Sequence, residues 1–307
     1  MQPPTSRNPE AAGVKALPAP SLRDRLFVAM QYLLPQHFLS RIVLGVTRIR
    51  LPPVKNLLIR SFVRHFKPNM SEAAQTNPLL YPSFNAFFTR HLQASARPPD
   101  MDPSVVIAPV DGTISQIGRL EGSKIIQAKG HDYTLEALFD GAPEWAERFR
   151  GGTFATLYLA PYNYHRIHMP LTGTLRAAWF VPGKLFSVNA VTAAAVPGLF
   201  ARNERVVCVF EENERAFAMV LVGALFVGSI GTVWHGDVSP RRPHRKVDLP
   251  LVADGRVPLR LAKGAEMGRF NMGSTVITLF QPGMMEWLPR YGPGDLIDVG
   301  RMLARLK

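Results

Sequence analysis

One cysteine in 307 residues, Cys208, excludes a disulfide framework and fits a reducing compartment. It lies in the apolar run Val206-Val207-Cys208-Val209-Phe210 and reads as a small buried hydrophobe. No GxGxxG follows a strand pattern, no P-loop occurs, and no internal repeat is evident. The first twenty residues are rich in Pro and Ala, contain Glu10 and lack an apolar core. They read as a disordered tail rather than a secretory signal. The longest uncharged run, Ala216 to Trp234, is interrupted by Gly223, Gly228 and Gly231. Two buried strands joined by a glycine turn are expected there, not a membrane span.

Acidic residues are also scarce. Lys and Arg number 36 against 23 Asp and Glu, a net charge of +13, which favours an anionic partner: nucleic acid, an acidic ligand or an anionic bilayer. No RRM, KH, helix-turn-helix or zinc-finger signature is present, and aromatics are not interleaved with the basic stretches, so nucleic acid is not the expected partner. Between Leu22 and Lys67 nine basic residues face one acid, Asp24, so this segment holds 9 − 1 = +8 of the charge. A second basic cluster, Arg241-Arg242-Pro243-His244-Arg245-Lys246, reads as a surface loop.

What is present is a hydrophobic content of 47%, enough for a full core. Ser21 with Asp24 marks a helix start, and Leu22, Leu26, Met30 and Leu33 follow at helical spacing. Phe38, Leu39, Ile42, Val46 and Ile49 form a second stripe ended by Pro52-Pro53. Val54, Leu57, Leu58, Phe62 and Phe66 form a third. Wide apolar faces beside Lys/Arg faces suit helices lying in a membrane interface, although packing on the protein's own core produces the same pattern. From Pro82 onward short β-rich runs alternate with Gly, Pro, Asn and Asp. They cover 105–110, 113–117, 125–128, 153–159, 173–180, 205–210, 217–222, 226–233 and 275–280, with short helices at 135–139 and 144–149. The expected fold class is α+β: a predominantly antiparallel sheet or sandwich core with an N-terminal amphipathic helical segment. The expected division is a tail (1–20), basic helices (21–75) and a catalytic domain (76–307).

Three motifs carry chemistry. Tyr164-His165-Arg166-Ile167-His168 holds two histidines three apart, readable as proton-transfer groups, as structural histidines or as a partial metal site on a helical turn. Pro109-Val110-Asp111-Gly112 is a strong hairpin-turn signal, and Asp111 is also suited to orient a histidine. Met272-Gly273-Ser274-Thr275 is common turn chemistry, yet a serine after glycine can attack the preceding carbonyl, with glycine easing the bend. Asp111, His168 and Ser274 together supply an acid, a base and a nucleophile. No Gly-x-Ser-x-Gly elbow is present, which argues against an α/β-hydrolase; a Ser/His/Asp lipid hydrolase that leaves its chain intact is the alternative reading.

The run Lys263 to Ile277, containing Met272-Gly273-Ser274-Thr275, resembles the processing region of bacterial phosphatidylserine decarboxylases. Tyr164 to Pro170 is similar to their histidine motif and Pro109 to Gly112 to their aspartate motif. Lys129 to Leu138, Val181 to Asn189 and Leu199 to Val206 match further stretches. Met272 stands where the family usually has leucine, a near-isosteric change. The resemblance implies self-cleavage between Gly273 and Ser274, giving a β chain (1–273) and an α chain (274–307) that stay paired, with further dimerisation left open. His168, held by Asp111, would deprotonate Ser274, which becomes a covalent pyruvoyl group with no metal required. That group would form a Schiff base with the amine of phosphatidylserine, releasing CO2 and phosphatidylethanolamine in phospholipid biosynthesis. His165 would be the proton donor in decarboxylation, and Tyr158 corresponds to a pocket tyrosine. A lipid substrate and basic helices imply peripheral attachment to an anionic surface, the cytoplasmic side of the inner cell membrane.

Overall fold

The computed structural model describes residues 21–128, 130–226, 228–239, 245–251 and 258–307. The expected tail and the 241–244 part of the basic loop lie outside the described residues.

Helix α1 (Leu22–Leu33) begins with the expected capping box: the Asp24 amide donates to Ser21 Oγ at 3.2 Å and the Ser21 amide to Asp24 Oδ2 at 2.9 Å. Helices α2 (Gln36–Thr47) and α3 (Pro52–Phe66) follow. Pro52-Pro53 does not terminate the second helix, as the sequence suggested. The prolines open the third, where their missing N–H groups have no helical partner to lose.

The apolar stripes of α1 and α2 face outward. Leu22 (83% exposed), Leu26, Met30, Leu33, Phe38 and Ile42 are all exposed, while the buried positions of these helices are polar: Gln31, Gln36, Ser40 and Thr47. Those side chains tie the helices to the protein body. Gln31 Oε1 accepts from the Ser187 amide and Gln36 Oε1 from the Leu185 amide, both at 2.7 Å, and Gln31 Nε2 donates to Thr192 Oγ1 at 3.3 Å. Helix α3 is built the ordinary way round. Ile59 and Phe62 are buried, and Phe62 meets Phe84, Phe87 and Phe88 of α4 (Phe84–Phe88) in edge-on ring contacts.

The body is α+β and mostly antiparallel. Its main sheet has nine strands, with Ser274–Phe280 between Arg215–Val222 on one side and Thr153–Leu159 on the other. Arg205–Glu212 and Gly173–Val181 extend the first side; Gly112–Arg119 extends the second. Ser274–Phe280 is buried along its whole length, as a central strand covered on both faces must be. A four-stranded sheet joins Arg166–His168, Glu266–Phe270, Ile230–Thr232 and Gly236–Asp237.

Two expected turns prove to be crossings between sheets. Within Ala216–Trp234, the strand Arg215–Val222 belongs to the main sheet, whereas the second strand shortens to Ile230–Thr232 in the small one. Pro109 to Asp111 likewise joins Val105–Ile107 to Gly112–Arg119 in a different sheet, so it is not a hairpin. Gly112 is needed there for close approach: a Cβ would stand 2.3 Å from the Tyr158 carbonyl oxygen. Among the described residues no helix is long and apolar enough to cross a membrane.

Candidate active site

The register of the main sheet brings the expected residues to one end of it. Ser274 is opposite Leu159 and Thr275 opposite Tyr158, while Thr113 pairs with Tyr158 from the other side. Asp111 and Ser274 therefore flank the C-terminal end of Thr153–Leu159, whose next residues turn and lead into His165. That turn is fixed by Asn163, whose Oδ1 accepts from the Ala160 amide at 2.8 Å and whose own amide donates to the Ala160 carbonyl at 2.9 Å. The Phe270 amide donates to the His165 carbonyl at 3.0 Å, which draws the short link Asn271-Met272-Gly273 against the histidine. Asn271 is clamped by the Asn85 side-chain amide at 2.9 Å and by Asp237 at 3.2 Å.

Ser274 is fully buried, and its Oγ forms no hydrogen bond among the described residues. His165 is also fully buried, and its Nδ1 donates to the Asn163 carbonyl at 2.8 Å. That bond assigns the proton to Nδ1 and leaves Nε2 with a lone pair that no described residue engages. This nitrogen stands 3.6 Å from where a Cβ on Gly273 would be. Burial pushes the His165 imidazole down to about 3, with Arg90 adding to the effect and the Asn163 bond opposing it, so the ring is neutral at physiological pH. The Phe88 ring lies over it with centroids 4.2 Å apart.

His168 is held differently. Its Nδ1 donates to the Gly264 carbonyl at 2.8 Å, and its Nε2 pairs with the Tyr164 hydroxyl at 3.1 Å. Burial lowers its pKa, although the Gly264 bond resists. His165 and His168 bracket the strand Arg166–His168 rather than a helical turn. Asn163, Gly264 and Tyr164 engage three of the four ring nitrogens, so the pair offers one free nitrogen, that of His165. Asp111 accepts from Arg97 Nε at 3.1 Å, Arg97 Nη2 at 2.9 Å and the Val299 amide at 2.8 Å. Burial raises the Asp111 pKa against the pull of these donors. The partners of Asp111 among the described residues are thus Arg97 and Val299, not His168. Tyr158 is half-buried opposite Thr275, and burial raises its hydroxyl pKa.

Gly273 does not take up a left-handed backbone, and a Cβ there would meet the Leu159 carbonyl at an ordinary 3.4 Å. The link is buried at Asn271 and half-buried at Met272 and Gly273, and Gly273 lies beside the His165 imidazole. Sequence reasoning also missed Arg97, fourteen residues before Asp111, and the Asn85–Asn271 clamp. Both pairings depend on sheet packing that leaves no periodic signal.

Ser274 carries a buried oxygen without a partner among the described residues, and the glycine before it lies beside a neutral imidazole with a free lone pair; a serine so placed can attack the preceding carbonyl once a base takes its proton. The same spot can accommodate the pyruvoyl group such a serine would yield. Comparison with known proteins leads the same way. The family model described as phosphatidylserine decarboxylase matches residues 84–305, and one described as PSD matches residues 26–67. The chain is 50% identical to the phosphatidylserine decarboxylase proenzyme of Stutzerimonas stutzeri over 284 residues, covering 92% of this chain and 95% of the relative. It is 51% identical to that of Bordetella pertussis over 283 residues, covering 92% and 95%. The proenzyme of Pseudomonas putida is 47% identical over 92% of this chain and 98% of the relative.

Proposed function

Because this chain belongs to the phosphatidylserine decarboxylase family, we propose that it is a self-processing carboxy-lyase that converts phosphatidylserine to phosphatidylethanolamine and CO2. The observation that carries the reading is the fully buried Ser274 at the start of the central strand, its Oγ unpartnered among the described residues and the glycine before it beside the free Nε2 of His165.

In processing, Ser274 Oγ attacks the Gly273 carbonyl and the acyl group moves from nitrogen to oxygen. β-Elimination then breaks the ester's Cβ–O bond, leaving Gly273 as a carboxylate and residue 274 as dehydroalanine. Hydrolysis of the latter releases ammonia and leaves a pyruvoyl cap on the α chain. Ser274 gives up its proton to His168, with Asp111 stabilising the charge. A second reading gives that proton to His165, and the free Nε2 beside Gly273 favours it. The α chain stays in place because Ser274–Phe280 pairs on both edges within the main sheet.

The pyruvoyl ketone supplies an electrophile for the substrate amine and a sink for the electron pair freed as CO2 departs. Around it, Phe88 and the buried sheet end exclude water, which favours loss of a charged carboxylate. His165 Nε2 takes a proton from the substrate's ammonium group as the amine is engaged and then delivers it in place of CO2 on the substrate carbon. Tyr158 is a pocket residue close to Ser274 in the register.

The outward apolar faces of α1 and α2, interspersed with exposed Arg23, Arg25, Arg48 and Arg50, support peripheral docking on an anionic bilayer at the cytoplasmic side of the inner membrane. The acyl chains then need not leave the bilayer.

Intact mass after denaturation tests the function. The wild type should yield a fragment of 307 − 273 = 34 residues whose N-terminus resists Edman degradation. Ser274→Ala should remain one chain and release no CO2. An active wild type consisting of one uncut chain would instead establish the hydrolase reading.

A further inference from the structure

Four arginines surround the site, and three have an evident place. Arg97 meets Asp111, Glu72 and Asp298; Arg166 Nη1 donates to both oxygens of Glu266; Arg269 is half-exposed to solvent. Arg90 has none of these arrangements. It is 3% exposed and forms no ion pair among the described residues. Its Nη2 donates to the Tyr162 carbonyl at 3.3 Å, while Nε and Nη1 are buried with no hydrogen-bond partner. Its guanidinium lies over the Phe87 ring at 5.7 Å, and burial lowers its pKa, outweighing the more distant Asp111 and Glu72 carboxylates that raise it. An unpaired buried guanidinium is costly to fold around unless an anion completes it.

Arg90 lines a cleft of about 360 Å³ together with Tyr81, Asn85, Thr89, Arg166 and Arg269. Three guanidinium groups and one neutralising carboxylate, Glu266, leave the cleft positive. It adjoins the reacting residues at three points. Asn85 holds Asn271, two residues before Gly273; Tyr162 lies in the turn that carries His165; and Phe88, two residues before Arg90, covers the His165 ring.

We propose that this cleft is the subsite for the phosphodiester of the substrate headgroup, anchored by the free donors of Arg90. The assignment rests on the decarboxylase reading and deepens it. The substrate carries two anionic groups, and chemistry decides between them. A cation fixed on the carboxylate would stabilise the very charge that decarboxylation must remove, opposing the reaction. The phosphodiester keeps its charge from start to finish, so a buried guanidinium orients it at every stage. Phosphate is joined to the reacting carbon through only one methylene and an ester oxygen, which requires its subsite to lie immediately beside Ser274 and His165.

The test compares two water-dispersed amines on the processed enzyme: glycerophosphoserine and O-methylserine, which retains the amine and carboxylate but lacks phosphate. The wild type should favour the phosphodiester in kcat/KM by about ten- to a hundredfold, the range of a buried charge-assisted contact. Arg90→Gln should reduce that ratio at least tenfold and Arg90→Lys should retain part of it, because the ammonium preserves charge without the planar fork. Inorganic phosphate should compete with glycerophosphoserine for the wild type. An unchanged ratio in Arg90→Gln overturns the assignment, including the case where both substrates suffer equally, as a purely structural residue would cause. Should Arg90→Gln fail to fold, absence of phosphate competition in the wild type overturns it as well. A wild type that releases no CO2 from phosphatidylserine vesicles would instead remove the decarboxylase reading beneath it.

Discussion

Ser274 Oγ and His165 Nε2 are each buried without a hydrogen bond among the described residues, an arrangement that costs about 1–3 kcal/mol per group. Folding alone gives no reason to retain it, since serine replaced by alanine would relieve the strand. Among the buried polar atoms without a partner, these two are ones the proposed chemistry uses. The two histidines differ in the same respect: the Nε2 of His168 is engaged by Tyr164, and that of His165 is free. Under the proposed division, His168→Ala leaves the chain uncut, whereas His165→Ala is cut and loses about 10²- to 10⁴-fold in turnover, the usual contribution of a positioned proton donor. Denaturing electrophoresis beside a CO2 assay separates the two effects. If His165→Ala blocks the cut, the roles are exchanged, as the position of Nε2 near Gly273 suggests.

At the scale of elements, α1 and α2 invert the usual amphipathic arrangement. Gln31 and Gln36 dock them by bonding to the backbone at Ser187 and Leu185, and the apolar stripe remains for another surface. Leu26→Glu and Phe38→Glu should therefore alter folding stability by no more than about 0.5 kcal/mol, since both side chains are already exposed. Each should weaken binding to anionic vesicles tenfold or more, because burying a large apolar side chain contributes about 1.5–3 kcal/mol. Sedimentation with vesicles, read beside thermal unfolding, checks both. A loss of stability without a loss of binding would show these stripes to be core-facing in solution.

For the whole molecule, charge and burial make stability depend on pH. Glu204, under α2 and near His37, is pushed up to about 7 by burial, with Ser239 pulling the other way. Its ordinary value is 4.5, so the unfolded chain loses this proton first as pH rises. The folded state therefore loses stability between about pH 4.5 and 7, and the loss is complete above that window. Glu204→Gln should stabilise the protein at pH 8 by on the order of 2 kcal/mol and have little effect at pH 4. Denaturant titrations at the two pH values test this; equal effects at both would refute it. His165 has the opposite sign. Its depressed pKa means stability falls as pH drops from about 6.5 towards 3, where the unfolded chain gains a proton that the folded ring refuses. Together the two groups favour mildly acidic conditions, between about pH 4.5 and 6.5.

The capping box at Ser21, the uninterrupted apolar runs and the reach of Thr153 to Leu159 were legible in the linear chain because they depend on neighbours a few residues apart. So were the motifs around Asp111, His165, His168 and Ser274, whose residue types carry their chemistry wherever they fall. Sheet membership was not legible. Pro109-Val110-Asp111-Gly112 looked like a hairpin, yet Gly112 is required by the Tyr158 carbonyl across a strand pair, and Ala216 to Trp234 divides between two sheets. The faces of α1 and α2 were equally undecided, since an amphipathic pattern specifies an apolar side but not what covers it. Only the tertiary structure turned that side outward, gave Asp111 to Arg97, placed His165 beside Gly273 and left Arg90 unpaired. Such pairings join residues far apart along the chain, and their energy comes from burial and hydrogen bonding that exist only once the strands are in register.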